Sequence, residues 1–212
     1  MAIVWPCELS VDAYIEAGRD LDFPRPACPD CEAEMERWSG YCRSIREAGH
    51  CARMFVPRLR CEPCSTTHAL LPAFCLTHRL DSVETIGAVI ESVVVGPGGV
   101  RPAAEAAQVP HTTARGWVRR FQARAQEVAV SFSAVAVDLA GAVVRPVANA
   151  GRHGLLAITQ AFDAAQDRPG WHLVARWRFV ACVTGGRLLA TNTDSPYRFI
   201  GRRSFMVPIA RT

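Results

Sequence analysis

Cysteines 28, 31, 61 and 64 form two Cys-x-x-Cys pairs, "CPDC" and "CEPC". Thiolates separated by two residues can converge on one ion across a tight turn. Two such turns supply the four soft ligands of a closed tetrahedral zinc site. A site of this kind keeps no open position for a substrate, so the spacing predicts one structural Zn(II) on Cys28, Cys31, Cys61 and Cys64 and no catalysis at the metal. Cys42, His50 and Cys51 lie in the interval between the pairs and are the alternative ligands. The chain has nine cysteines, an odd number that leaves at least one outside any set of disulfides. A thioredoxin-like redox pair would need a βαβ context, which the surrounding pattern lacks. Cys7, Cys75 and Cys182 read as buried free thiols.

Zinc knuckles commonly carry glycine just after the second cysteine, where positive φ relieves the turn; Glu32 and Ser65 stand there instead. Asp30, Glu32, Glu34 and Glu36 add negative charge beside the thiolates, and Arg53, Arg58 and Arg60 can offset it. "RMFVPRLRC" reads as a strand entering the second knuckle. "THALLPAF" reads as a strand leaving it, stopped by Pro72. Residues 32–60 are expected to form a surface excursion between the knuckles. The plan is a zinc ribbon over residues 25–80, preceded by an acidic segment, 1–24, with a helix over Val11–Ala17 that could dock on the ribbon.

Helical spacing follows. Ser82 can cap a helix whose apolar face is Val83, Ile86, Val89/Ile90 and Val93. Gly96-Pro97-Gly98-Gly99 breaks it. A second, short helix starts at Arg101-Pro102 and runs through Ala103–Ala107. After the turn Gln108-Val109-Pro110, a third helix is expected to about Gln126. Ala114, Trp117, Val118, Phe121 and Ala125 make one apolar stripe on it. Thr112, Arg115, Gly116 and Arg119 fall opposite. Such a helix suits the major groove of double-stranded DNA: His111, Thr112, Thr113, Arg115 and Arg119 can reach base edges or phosphates, while Arg120 and Arg124 flank them and can hold the backbone.

"VRPAAEAAQVPHTTARGWVRRF", residues 100–121, resembles the helix-turn-helix of bacterial insertion-sequence transposases, with Gln108 where that motif carries its turn glycine. "LRCEPCSTTHALLPAF", residues 59–74, resembles the second knuckle of the zinc ribbons that precede such helices. Together they resemble an uncharacterised actinobacterial family of transposase-associated proteins. The resemblance implies a DNA-binding region over residues 81–127 and binding at mobile-element ends or a regulatory role there. A transposase, or a second copy of this chain, is a further candidate partner.

Composition sets the remaining limits. All 24 basic residues are arginine and the net charge is only +4, so the placement of arginines, not their sum, must carry a nucleic-acid argument. "MAIVWPCELSVDAYIEAGRD" has neither a basic n-region nor a long apolar run. No segment reads as a bilayer span, and no small-molecule substrate is implied. A cytoplasmic, nucleoid-associated location is expected. "SFSAVAVDLAGAVV" tests the chain for the first carboxylate of an RNase H-like nuclease at Asp138. Too little chain follows to hold Asp163, Asp167 and Asp194 on further strands. Residues 128–212 instead read as helical: one helix over Ala148–Gln166, a break at Pro169-Gly170, then "WHLVARWRFVACVTGG" as a second helix. In that helix Trp171, Leu173/Val174, Trp177 and Val180 are packed, Arg176 and Arg178 lie outside the stripe, and His172 is on the surface. An Arg-rich tail with Tyr197, Phe199 and Phe205 closes the chain. The expected fold class is mainly α with a small β zinc ribbon, a helix-turn-helix three-helix unit and a helical C-terminal region. The expected function is sequence-specific, non-enzymatic DNA binding. The rivals are a protein-interaction module partnering a transposase, and a degenerate transposase with residual metal-dependent cleavage.

Overall fold

The computed structural model describes residues 2–168 and 171–190. Among these residues four strands form one sheet: β1 (Ala2–Trp5), β2 (Glu36–Glu47), β3 (His50–Arg60) and β4 (Thr67–Pro72), in the order β1-β4-β3-β2. β2 and β3 are a long antiparallel hairpin, paired from Glu36↔Arg60 to Glu47↔His50. β3 and β4 are antiparallel and joined through the second cysteine knuckle; β1 runs parallel to β4, Ala2↔Ala69 to Trp5↔Pro72. The fold is therefore mixed rather than mainly α, and the interval 32–60 is sheet rather than an excursion. The reason lies in β2. Residues 36–42 of that strand are all exposed, so it carries no alternating apolar signal by which a strand is recognised. β4 does end at Pro72, as its sequence predicts.

Among the described residues, seven α-helices accompany the sheet. α1 (Val11–Ala17) is capped by Ser10 and buries Val11 and Tyr14; the Tyr14 hydroxyl donates to the Phe55 carbonyl on β3 at 3.1 Å. The acidic segment thus supplies both a strand and a helix to the sheet. α2 (Val83–Val94) starts at Ser82, whose Oγ accepts from the Thr85 N–H. α3 (Val100–Ala106) and α4 (His111–Ala123) follow. The third helix is shorter than its periodicity suggests. Arg124 leaves helical geometry at φ −116°, ψ 8°, and Ala125 opens α5 (Ala125–Ala140). Asp138 is exposed on α5 and ends no strand. α6 (Ala150–Gln166), capped by Asn149, packs along α5.

The segment expected as one helix from Trp171 is two pieces, a single 3-10 turn (Trp171–Leu173) and α7 (Arg176–Val183). Trp171, Val174, Trp177 and Val180 are buried and His172 is exposed. Gly185 and Gly186, both at positive φ, follow α7. The break at Pro169-Gly170, Asp194 and the tail with Tyr197, Phe199 and Phe205 lie outside the described residues.

One continuous core joins sheet and helices. At Gly87 on α2 a Cβ would stand 2.1 Å from the Trp177 ring, so the missing side chain lets α7 approach. Trp177 Nε1 donates to Glu91 Oε1 at 2.9 Å. Arg178 bonds Glu84 at 2.5 Å and the Cys7 and Leu9 carbonyls at 2.8 and 2.7 Å. Arg176 pairs with Glu91. These two arginines lie outside the packed stripe, as expected, and are occupied as ties between α7, α2 and the N-terminal segment.

Candidate metal centre and the outer face of the fourth helix

The two knuckles share one backbone scheme. The Cys28 N–H donates to the Ala33 carbonyl at 2.8 Å, and the Cys61 N–H to the Thr66 carbonyl at 2.9 Å, each closing a loop five residues on. Glu32 and Ser65, at equivalent places, adopt φ of 61° and 54°. The left-handed residue of the knuckle is therefore kept without glycine, at a conformational cost on the order of 1 kcal/mol apiece. The first knuckle leads into β2 and the second joins β3 to β4. The paired ends of the sheet bring them together.

The sulfurs of Cys28, Cys31, Cys61 and Cys64 all lie within 4.8 Å of one another. Cys31 and Cys61 are 3.3 Å apart, and Cys28 and Cys64 3.6 Å. Four sulfurs at about 2.3 Å from a zinc ion stand about 3.8 Å apart, so the donor set and its spacing fit such an ion. The sulfurs differ in how firmly they hold a proton. The Thr66 hydroxyl, 2.9 Å away, and then its backbone N–H pull Cys64 down to about 6. The Cys64 N–H favours a thiolate on Cys61, but burial and the neighbouring sulfurs outweigh it and push Cys61 up to about 12. Four thiolates together need a countercharge, which a divalent cation supplies.

His68 is the part of this site that the spacing did not disclose. It lies on β4, is 1% exposed, and sets Nε2 3.7 Å from Cys28 Sγ and 3.0 Å from Thr66 Oγ1. Asp30 Oδ2 is 4.0 Å from the same nitrogen. An imidazole Nε2–H and a Thr hydroxyl beside thiolates are the outer partners that steady a metal's ligands. The available signal was a histidine four residues beyond Cys64, hidden by its place in an apolar strand. Cys42, His50 and Cys51 are exposed on the β2–β3 hairpin and stand in no candidate cluster among the described residues. Arg60 pairs with Glu62 at 3.4 Å and Arg58 bonds Thr67 Oγ1 at 2.6 Å, which puts two of the three offsetting arginines beside the second knuckle. The third, Arg53, is exposed on β3. Cys7 and Cys75 are buried thiols, held protonated chiefly by burial at about 11 and about 12; Cys182 is half-buried and pushed up for the same reason.

α4 has two faces. Ala114, Trp117, Val118 and Phe121 are buried. His111, Thr112, Arg115 and Arg119 are exposed, and Thr113, Arg120 and Arg124 are half-buried. Gln108, in the turn between α3 and α4, sits at φ 53°. The turn thus has left-handed geometry with glutamine in place of glycine. The hairpin tip packs against it: a Cβ at Gly49 would stand 2.6 Å from Gln108 Oε1. Gly116 on the outer face leaves room for the Arg120 guanidinium, whose Nη1 would lie 2.9 Å from a Cβ there. Arg120 Nε and Arg124 Nη1 are buried without a hydrogen-bond partner.

A family described as "Domain of unknown function (DUF6431)" matches residues 28–117. The matched span opens on Cys28 and closes at Trp117 inside α4, so it takes in both knuckles, the hairpin, α2 and α3. No curated protein and no solved structure matches the chain. No helix among the described residues is long and apolar enough to cross a membrane.

Proposed function

We propose that this chain binds double-stranded DNA, with α2, α3 and α4 acting as a helix-turn-helix and α4 entering the major groove. The carrying observation is the division of α4: Trp117 and Phe121 are 3% and 0% exposed, while Thr112, Arg115 and Arg119 face outward. Thr and Arg on one exposed face can read base edges, with Arg reaching guanine in a bidentate contact. Arg120 and Arg124, half-buried on the flank of that face, can meet backbone phosphates. His111, at the start of the helix, and half-buried Thr113 border the reading face. The cysteine cluster takes one Zn(II) as a structural ion. It closes the β3–β4 end of the sheet and does no chemistry on the DNA.

The resemblance of residues 100–121 to insertion-sequence transposases supports mobile-element ends, or the regulation of such an element, as the setting. A protein with this role is nucleoid-associated. The test is selection of bound sequences from random duplex DNA, followed by titrations with Arg115→Ala. The expected outcome is a loss on the order of 1–3 kcal/mol on the selected duplex, with relaxed preference at one base pair. Unchanged affinity and preference in folded Arg115→Ala and Arg119→Ala would remove α4 as the reader.

A further inference from the structure

One of the four cysteine sulfurs has a second set of neighbours. Cys28 Sγ lies 3.7 Å from His68 Nε2, and Asp30 Oδ2 lies 4.0 Å from the same nitrogen. The three ligand atoms, one each of sulfur, nitrogen and oxygen, all stand within 4.8 Å of one another. The backbone fixes their places. Cys28 and Asp30 belong to the first knuckle, whose turn closes through the Cys28 N–H to the Ala33 carbonyl, and His68 sits on β4 opposite Leu59 of β3. Cys28 and His68 are each 1% exposed, whereas the Asp30 side chain is 45% exposed. The group therefore reaches from the core to the surface.

Thiolate, imidazole and carboxylate are the donor types that zinc takes from proteins. At bond lengths of about 2.0–2.3 Å, such donors around a tetrahedral ion stand roughly 3.3–3.6 Å apart. The Cys28–His68 separation is already close to that. Asp30, exposed and on a turn, has less than about 1 Å to travel. A thiolate sulfur keeps lone pairs after binding one ion and can bridge to a second. Charge favours the bridge. One zinc on four thiolates leaves a formal charge of about −2, and Asp30 adds to it. Arg60, the nearby cation, is already paired with Glu62 at 3.4 Å. A second divalent ion offsets the excess.

We infer that Cys28, Asp30 and His68 form a second, exchangeable site for a thiophilic divalent cation, zinc or cadmium, which shares the Cys28 sulfur with the structural ion. This rests on the four-cysteine reading above and is independent of the DNA reading. With one ion bound, the His68 Nε2–H serves the cluster as an outer partner. When a second ion binds, Nε2 gives its lone pair to the metal and the imidazole carries its proton on Nδ1 instead. Nδ1 is buried and has no hydrogen-bond partner among the described residues, so the change is unfavourable and the second ion binds more weakly than the first. Three protein ligands leave the fourth position of a tetrahedral ion to water, which lets the ion exchange.

The experiment dialyses the full chain against a series of free zinc concentrations and counts ions per chain by elemental analysis. The wild type should pass from one ion to two as free zinc rises. Asp30→Asn and His68→Gln should hold one ion at concentrations that give the wild type two. Asp30 is exposed, so Asp30→Asn carries the test should the buried His68→Gln fold poorly. Cadmium NMR checks the shared sulfur: with two cadmium ions bound, the two resonances should be coupled to one another. A wild type that stops at one ion in saturating zinc overturns the second site and leaves the four-cysteine centre standing. A second ion that persists in folded Asp30→Asn at the same free zinc overturns the assignment to these residues. Two uncoupled cadmium resonances overturn the bridge through Cys28. A folded wild type that takes up no zinc at any concentration overturns the four-cysteine reading, and the second site with it.

Discussion

The hairpin of β2 and β3 joins two polar clusters built on opposite terms. At its open end stand the four cysteine sulfurs, hydrogen-bonded to Thr66 and His68; His68 Nδ1 is the one orphan nitrogen there among the described residues. Toward its tip, Arg43 donates to the Leu76 and Arg79 carbonyls, and among the described residues no carboxylate pairs with Arg43 or Arg79. The paired length between Glu36↔Arg60 and Glu47↔His50 spans about 35 Å at roughly 3.3 Å per residue. A cluster whose donors and acceptors converge on a single point holds a structure together. A cluster with donors to spare and charge unbalanced weakens the fold it sits in, and gains only when another molecule completes it. The hairpin is thus divided, with groups that converge on one point at the sulfur end and arginine charge that no described carboxylate balances toward the tip.

The strongest way to break that division is at the sulfurs. Cys61→Ser with Cys64→Ser removes half the ligand set. The expected result is loss of about one equivalent of zinc per chain and loss of the folded ribbon, because the binding free energy of a structural zinc, on the order of 10 kcal/mol, is folding free energy. Metal analysis and circular dichroism read both. Retained zinc in the double variant would return Cys42, His50 and Cys51 to contention.

Next in size is the one arginine near the loop that does have an acid. Arg46 holds Asp81 through two bonds, at 2.7 and 3.0 Å, and Asp81 is 2% exposed. Asp81→Ala should cost about 2–4 kcal/mol, read as a lower midpoint in denaturant, because it leaves a partly buried guanidinium unbalanced. Set beside Arg120→Gln, which breaks no ion pair among the described residues and for which no loss of stability is expected, it distinguishes a balanced arginine from an unbalanced one. Equal losses in the two variants would erase the contrast.

The smallest effect sharpens the scaffold end. Ser65 is exposed and held at φ 54°. Ser65→Gly should stabilise the protein by roughly 0.5–1 kcal/mol, since glycine meets that angle without strain and gives back part of the gain as unfolded-state entropy. Thermal melts at fixed zinc measure it. A destabilised variant would mean that the serine side chain matters more than its backbone.

Much of this arrangement was legible in local patterns. The spacing of Cys28, Cys31, Cys61 and Cys64 announced one site because two residues between thiolates is a property of a single turn. Ser82, the apolar repeat of α2 and the two-faced pattern of α4 announced helices because capping and 3.6-residue periodicity are short-range. The glycine expected after each knuckle and before α4 proved the wrong thing to look for: Glu32, Ser65 and Gln108 take left-handed φ themselves, since a few-kilocalorie strain is tolerated where the rest of the turn is hydrogen-bonded.

What the sequence by itself determined is thus the set of elements whose cause is local: the knuckles, the capped helices and the buried stripe of α4. Tertiary structure alone decided the rest. β2 has almost no buried face, so only its pairing with β3 makes it a strand. β1 is four residues long and becomes a strand by lying parallel to β4, about 65 residues away in the chain. His68 joins the sulfurs because β4 carries it there, and the loop before α2 is tied to β2 because Arg43 donates to its Leu76 and Arg79 carbonyls. Contacts between residues far apart in sequence leave no period to read, since what creates them is the free energy of packing one element on another.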